Sequence, residues 1–471
     1  MVQTIQSYIL KNTIKRETQM VEIVTKLDHI DELLEEGKAL CKEEKYFEGI
    51  NLFEQALTIC RKNGHRRELA CLHNIAVAYR EIEHNEIAKE YYEGALAIGR
   101  KFGEKKRCIT ILSHLADIFR SLEQYDESID KWKAAIKIAL EIGDKQKVIS
   151  FIRNIKVTCN HLMSLGEYNK AIENIKYALF ISQMIGDMKI QCILLDSLIE
   201  KAKTLCKDNK YSECIKVFEY ALRMCKKNGF QTGELASLHN LGVTYNDIAN
   251  YEKAKEYYEA ALDIGRKIGD RNKEMISLSY LADVLRSLEK YDESIDTWKA
   301  TIKIAIEIGD DRKVVSYIRH AKITCNCLTN LGEYDKSIEN LKFSLLIAEE
   351  IGDINIQCIL LDSLMEKAKL LSNNNRHSES IKLFEEVLQS SRKTGLQRRE
   401  LSKLCDIAYT QCSIENYEVA KKYYEAALDF GRKIGKKNDE MIVLRDLADI
   451  LSTIDDQDQA IERLENEIET F

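Results

Sequence analysis

Hydrophobic residues recur along the chain at helical spacing and are interrupted by short polar breaks. In the stretch 234–270, Leu238 and Leu241 precede a break at 248–250, and Tyr258 follows it. Side chains three or four residues apart share one face of an α-helix. The pattern therefore predicts two amphipathic helices that pack antiparallel across a tight turn.

Small residues hold fixed places in this unit. Gly242 lies on the first predicted helix, and Ala254 and Ala261 lie on the second. We expect Gly242 and Ala254 to face each other, because only small side chains let two helix backbones approach closely. A bulky residue in such a seam typically costs about 1–3 kcal/mol.

The unit recurs from residue 31 onward, which predicts eleven helix pairs at intervals of 39–43 residues. A glycine-containing break closes most second helices, and in several of them an aspartate follows, as at Gly143-Asp144 and Gly269-Asp270. Glycine accepts the left-handed conformation past a helix end, and aspartate caps the next helix. The residues equivalent to Ala261 are Ala56, Ala95, Ala135, Ala178, Ala221, Thr301, Ser344, Val387, Ala427 and Glu467.

A longer repetition groups these units into blocks. Tyr125–Asp144 recurs as Tyr291–Asp310, and 291 − 125 gives a shift of 166 residues. The predicted organisation is a capping helix at 1–30, four repeats at 31–195, four at 196–361 and three at 362–471.

The repeated unit resembles the tetratricopeptide repeat (TPR). Its L-G-x-x-Y…Y-x-x-A…Y-x-x-A-L pattern is carried by Leu241, Gly242, Tyr245, Tyr251, Ala254, Tyr258, Ala261 and Leu262. The resemblance covers residues 31–471 and implies an all-α, right-handed superhelix of antiparallel helix pairs that acts as a scaffold for protein partners. The unit length and the glycine-aspartate breaks are most similar to the extended repeats of Pins-type spindle-orientation adaptors and of kinesin light chains.

Charge and hydropathy narrow the range of partners. The chain has 70 basic and 77 acidic residues, for a formal net charge of −7. This balance argues against a nucleic-acid partner. No apolar run is long enough to cross a membrane, so we expect no membrane insertion. A protein or peptide partner is the expectation that remains.

Several of the fourteen cysteines replace small core residues. Cys159 and Cys325 stand in the place of Gly242, and Cys214 stands in the place of Ala254. We expect them to behave as small buried hydrophobes, with disulfides, metal binding and redox sensing as the alternatives. With no signal peptide in the sequence, this predicts a cytoplasmic, reducing environment.

In TPR arrays the first helix of each pair lines the concave groove, so polar residues that project from these helices are the expected peptide-binding set. An asparagine amide can hold a peptide backbone, and arginine or lysine can hold a carboxylate. We therefore predict an acidic peptide ligand. The set is His73, Arg80, Asp117, Arg120, Arg153, Lys156, Asn160, Lys203, His239, Asn246, Asp283, Arg286, Arg319, Lys322 and Asn326.

Two alternatives bear on this set. Asp117 with Arg120, and Asp283 with Arg286, are three residues apart and could instead pair with each other. The chaperone carboxylate clamp of some TPR proteins is not expected, because Glu200 stands where the resemblance requires a second asparagine.

No catalytic motif, metal-ligand cluster or cofactor loop is found, so we predict a non-enzymatic protein without cofactors. One alternative function is a self-associating helical rod. A more distant one is an RNA-binding helical repeat, which would need a basic face.

Overall fold

The computed structural model describes residues 27–63, 66–393, 397–435 and 437–453. These residues form helices joined by short turns, without a β-strand among them. Contacts divide the chain into two units, Met1–Ser237 and Leu238–Phe471. Most of the predicted capping helix at 1–30, and the last marker residue, Glu467, lie outside the described residues.

The first unit contains five pairs of helices. Residues 27–42 are helical and form α1. The following helices are α2 (Tyr46–Asn63), α3 (Glu68–Glu81), α4 (Asn85–Lys101), α5 (Lys105–Ser121), α6 (Tyr125–Glu141), α7 (Lys145–Ser164), α8 (Tyr168–Met184), α9 (Met188–Lys207) and α10 (Tyr211–Asn228).

The boundary between the units falls within α11 (Gln231–Asp247). The second unit continues with α12 (Tyr251–Ile268), α13 (Arg271–Ser287), α14 (Tyr291–Ile308), α15 (Asp311–Asn330), α16 (Tyr334–Glu350), α17 (Ile354–Asn373), α18 (His377–Lys393), α19 (Gln397–Ser413), α20 (Tyr417–Ile434) and α21 (Lys437–Thr453). Odd-numbered helices are the first members of the predicted pairs.

Each pair buries one large side chain from its second helix. Tyr258 of α12 is fully buried, and its ring lies against Gly242, where an added Cβ would meet ring carbon Cε1 at 2.7 Å. The equivalent side chains in the other described pairs are at most 3% exposed; they are Phe53, Tyr92, Trp132, Ile175, Phe218, Trp298, Leu341, Phe384 and Tyr424. The core of the described pairs is therefore a row of large residues, one per repeat.

The small residues of the seam hold the predicted register. Ala56, Ala261, Val387 and the other described markers are all 2% exposed or less. At the place of Ala254, serines bond back to the first helix: Ser128 Oγ donates to the Ala116 carbonyl over 2.7 Å. Ser294 does the same to Ala282 over 2.8 Å. The small residue thus contacts the backbone of the facing helix, as predicted.

The glycine-aspartate breaks behave as the sequence predicts. Gly143 has a φ of +74°, and the Asp144 carboxylate accepts a hydrogen bond from the Lys147 backbone N–H over 3.1 Å. The same cap is formed by Asp187, Asp270, Asp310 and Asp353, with distances of 2.9–3.1 Å. These caps satisfy donors that a helix start leaves open.

Neighbouring repeats are joined on the second helices by equivalent contacts in both units. In the first unit Lys170 of α8 pairs with Asp126 of α6 over 2.8 Å. In the second, Lys336 of α16 pairs with Asp292 of α14 over 2.9 Å. Exposed pairs of this kind contribute little individually, so the stability of the array rests on the buried row.

One cysteine prediction needs correction. Cys159 and Cys325 are buried free thiols, and burial raises the pKa of each to about 12. Cys214 is buried too, but it forms a disulfide with Cys206, with the Cα atoms 5.8 Å apart. The prediction that Cys214 acts only as a small buried hydrophobe is therefore incomplete. Cys206 lies at the end of α9 and Cys214 lies near the start of α10, so the turn between these helices brings the two sulfurs together.

Candidate functional site

The first helices form a face within each unit, because successive first helices contact each other. In the first unit the His73 ring of α3 stacks on the His114 ring of α5, with centroids 5.5 Å apart. In the second, the His320 imidazole of α15 lies 3.6 Å from the Asp283 carboxylate of α13. Every predicted binding residue lies on a first helix. We call the outward side of these helices the first-helix face.

Many charges on this face are already paired. Asp117 binds Arg120 over 2.6 Å, and Asp283 binds Arg286 over 2.7 Å, which confirms the alternative weighed for these residues. Arg80 pairs with Glu81 over 2.7 Å, and Lys203 with Glu200 over 2.8 Å. A ligand would have to compete for these side chains, so they are weaker candidates than the sequence indicated.

The two predicted histidines belong to aromatic clusters. His73 lies 5.7 Å from the Tyr92 ring, and burial lowers its pKa. His114 is not among the predicted binding residues, and its pKa is lowered to about 4, mainly by burial and then by the charge of Arg80. The second cluster, 166 residues on, contains His239, Tyr258 and Tyr280. For His73 and His114, burial favours the neutral, packed ring.

Two of the three predicted asparagines, Asn160 and Asn326, are held by buried lysines from the next first helix. Lys201 Nζ of α9 donates to Asn160 Oδ1 over 2.7 Å, and Lys367 Nζ of α17 donates to Asn326 Oδ1 over 3.0 Å. The two lysines are 5% and 4% exposed. Sequence reasoning missed them, although one signal was present: Lys201 occupies the core place of Leu241.

Four predicted cations differ from the rest, because no salt bridge engages them among the described residues. Arg153 is exposed and Lys156 half-buried on α7, beside Val157, which is 45% exposed. With Asn160 these residues form site I. Its counterpart on α15, site II, consists of Arg319, Lys322, Ile323 and Asn326, and Ile323 is 48% exposed.

Acidic residues of α9 lie next to site I. The Asp196 pKa is raised mainly by burial and then by Glu200, and the Lys156 ammonium opposes that shift. Glu200 itself pairs with Lys203. The cationic surface is therefore local to α7 and does not extend along the whole first-helix face. Asn246, the remaining predicted residue, is half-buried on α11.

Among the described residues there is neither a candidate metal-ligand cluster nor a helix that could span a membrane. No group of three histidine, cysteine, aspartate or glutamate side chains in this part of the chain is placed to hold a metal ion. Within the same part, every helix is too short or too polar to span a bilayer. The chemistry of the first-helix face is therefore ion pairing, hydrogen bonding and apolar contact.

Repeated antiparallel pairs with a small-residue seam define a helical-repeat protein. The family model for the tetratricopeptide repeat matches residues 32–101 and 194–267. The chain therefore contains tetratricopeptide repeats, a fold that is typically a scaffold for protein interactions. No curated protein matches it.

Solved structures with a similar fold are distant in sequence. BtubC (BKLC) from P. vanneervenii is 15% identical over 49% of this chain and 92% of its own, with a TM-score of 0.34. The TPR2AB domain of yeast Sti1, in a pHSP90 complex, is 12% identical over 62% and 97%, with a TM-score of 0.31. Kinesin light chain-like repeats of Podosopora anserina are 16% identical over 43% and 97%, with a TM-score of 0.25. Likeness at this level carries no inference about function.

Proposed function

We propose that the chain is a cytoplasmic adaptor that binds an acidic peptide segment of a partner protein on the first-helix face. The observation that carries this proposal is the absence of salt bridges at Arg153, Lys156, Arg319 and Lys322 among the described residues. Other cations predicted for this face are paired with carboxylates of the chain itself.

The side chains of site I are suited to an acidic and partly apolar segment. A guanidinium and an ammonium group one helical turn apart can each hold a carboxylate by a charge-assisted hydrogen bond. Val157 adds an exposed apolar contact between the polar residues. Asn160 Oδ1 is occupied by Lys201, which leaves the amide Nδ2 as a donor for a peptide carbonyl.

The acidic neighbours set limits on the bound segment. Asp196 and Glu200 on α9 would repel a carboxylate that extended over them. The acidic residues of the ligand therefore belong over α7, where the unpaired cations lie. The sequence predicts an acidic peptide along the entire groove. The proposal here is narrower, because the acidic residues of the ligand contact the chain only at site I and site II.

The test is a pull-down from cell extract with the wild-type chain and a variant carrying Arg153→Glu, Lys156→Glu, Arg319→Glu and Lys322→Glu. We expect specific partners to be lost from the variant, and their interacting segments to be rich in aspartate and glutamate. Circular dichroism must first show that both chains have the same helicity.

A matched control separates local from general charge effects. Lys137 of α6 and Lys303 of α14 are exposed lysines on second helices, 166 residues apart. Lys137→Glu and Lys303→Glu should retain the partners. Equal recovery of partners by the quadruple variant and the wild type would contradict the proposal and favour the outer faces, and light scattering would then test self-association.

A further inference from the structure

Site I and site II contain the same three polar side chains, and a β-branched apolar one, at equivalent positions of their helices. Arg153, Lys156 and Asn160 recur as Arg319, Lys322 and Asn326, and Val157 recurs as Ile323. Site I lies in the first compact unit and site II in the second. Among the described first helices, α7 and α15 alone carry cations at both of these outward positions.

The supporting contacts recur as well. In each site a buried lysine from the next first helix donates to the asparagine Oδ1, over 2.7 Å from Lys201 and 3.0 Å from Lys367. The residue before each asparagine is a fully buried cysteine. Each asparagine amide is therefore held through its oxygen in the same way, so the two sites present the same donors.

Sequence duplication alone does not account for this match, because other positions of α7 and α15 have changed. Asn154 corresponds to His320, His161 to Cys327, and Met163 to Thr329. The cations and the asparagine have stayed the same while these neighbours differ. The two helices are therefore not simply recent identical copies.

From these observations we infer that one chain holds two equivalent binding sites and takes two copies of the same acidic segment, one in each unit. This inference rests on the proposed function, because it states how many sites on one chain bind the acidic segment. A partner that presents two such segments, as a dimer or as a tandem motif, would bind by avidity. The linker between its segments must be long enough to reach both sites.

The experiment starts by selecting twelve-residue peptides from a random phage-displayed library on the intact chain. A synthetic copy of the most enriched acidic peptide is then titrated by calorimetry into three variants. One carries Arg153→Glu and Lys156→Glu, the second carries Arg319→Glu and Lys322→Glu, and the third carries all four. Glutamine versions replace any glutamate variant that loses helicity.

We expect two peptides per wild-type chain, one per chain for each double variant, and none for the quadruple variant. The peptide dissociation constant of each double variant should stay within about twofold of the wild-type value, because the remaining site is intact. A peptide with two copies joined by a long Gly/Ser linker should bind the wild type roughly 10²-fold more tightly than one copy, and lose this gain in either double variant.

The single substitutions Lys156→Glu and Lys322→Glu are compared with the controls Lys137→Glu and Lys303→Glu. Each substitution changes the net charge by the same amount, but the controls lie on second helices, outside both sites. Binding of one peptide per wild-type chain, or complete loss of binding in one double variant, would overturn the two-site inference. Undiminished binding by the quadruple variant, or selected peptides without acidic residues, would instead overturn the proposed function.

Discussion

At the residue scale, burial decides which polar side chains can act on a ligand. Lys201 and His114 are polar residues on first helices, yet both are held in environments that disfavour their charged forms. Arg153 is exposed, so its guanidinium group is accessible to a ligand. The distinction follows from desolvation, which penalises an ion but not a neutral ring.

The histidine cluster predicts a pH dependence of stability. The pKa of His114 is about 4 in the folded chain, below the ordinary value of 6.5, so the unfolded chain binds more protons between these values. The stability from neutral His114 is complete above pH 6.5 and is lost as the pH falls toward 4. The groups that bear on it are Arg80, His73 and Glu81.

We expect His114→Tyr, which installs the residue found at the equivalent Tyr280, to reduce the fall in urea midpoint between pH 7 and pH 5. Urea unfolding followed by circular dichroism at both pH values measures this. Identical pH profiles for the wild type and His114→Tyr would contradict the assigned role of His114.

The buried lysine of site I predicts a gain in stability on substitution. Burial lowers the Lys201 pKa below 10.5, so the folded state binds protons less readily than the unfolded state. Stability should rise as the pH rises toward 10.5. Lys201→Met removes the buried charge, and exposed Asn160 can bond to water instead, so we expect about 1 kcal/mol of added stability at pH 7.

The measurement is the urea midpoint of Lys201→Met, with the exposed Lys207→Met at the end of α9 as the control. The variant should also bind the selected acidic peptide more weakly, because the Asn160 amide is no longer held. A lower midpoint for Lys201→Met would show that the hydrogen bond to Asn160 outweighs the cost of burying the ammonium group.

At the element scale, the spacing of large and small residues predicted the helices well. Ala261 and its described equivalents are buried, and the break at 248–250 separates α11 from α12. Packing geometry fixes these positions, because a residue of the wrong size cannot occupy the seam. Periodicity in sequence therefore carries direct information about the fold.

The candidate site was less predictable from sequence. Periodicity places Arg153 and Asp117 on the outward side of their helices, but it does not say that Asp117 pairs with Arg120. It also gives no distance between Asn160 and Lys201, which are 41 residues apart. These contacts depend on how neighbouring repeats are rotated and on the rotamers of long side chains, which only three-dimensional coordinates supply.

The turns between paired helices predict a stabilising substitution. Ala249 has a φ of +58°, in the left-handed region between α11 and α12. A side chain with a Cβ atom costs about 1–2 kcal/mol there, whereas glycine does not meet this cost. We expect Ala249→Gly to raise stability because glycine does not meet this conformational cost. Glycine also loses more backbone entropy on folding, and this loss limits the gain to about 1 kcal/mol.

Ala260→Gly within α12 is the control for this turn, and it should lower stability by about 0.5–1 kcal/mol because the site is helical. Urea midpoints of both variants, measured side by side, give the comparison. A loss of stability in Ala249→Gly similar to that in Ala260→Gly would show that the left-handed conformation at the turn is not strained in solution.

At the scale of the whole molecule, the 166-residue repetition allows one block of four repeats to be deleted while the remaining repeats keep their register. Deleting residues 196–361 joins Leu195 to Asp362. The junction then reads CILL-DSLMEKAK, which keeps the residue pattern found at 192–203 and at 358–369. Lys367 then takes the place of Lys201 behind Asn160. Because repeat proteins are stabilised by units and by contacts between neighbours, the shortened chain should fold.

We expect this deletion variant to keep its helical content per residue and to bind one acidic peptide, at site I, instead of two. Circular dichroism and calorimetry with the selected peptide measure the two properties. Deletion of residues 196–341 joins α9 to the middle of α16 out of register, and it should lose cooperative unfolding. An in-register variant that also failed to unfold cooperatively would show that stability depends on contacts beyond neighbouring repeats, which the additive description of the array does not contain.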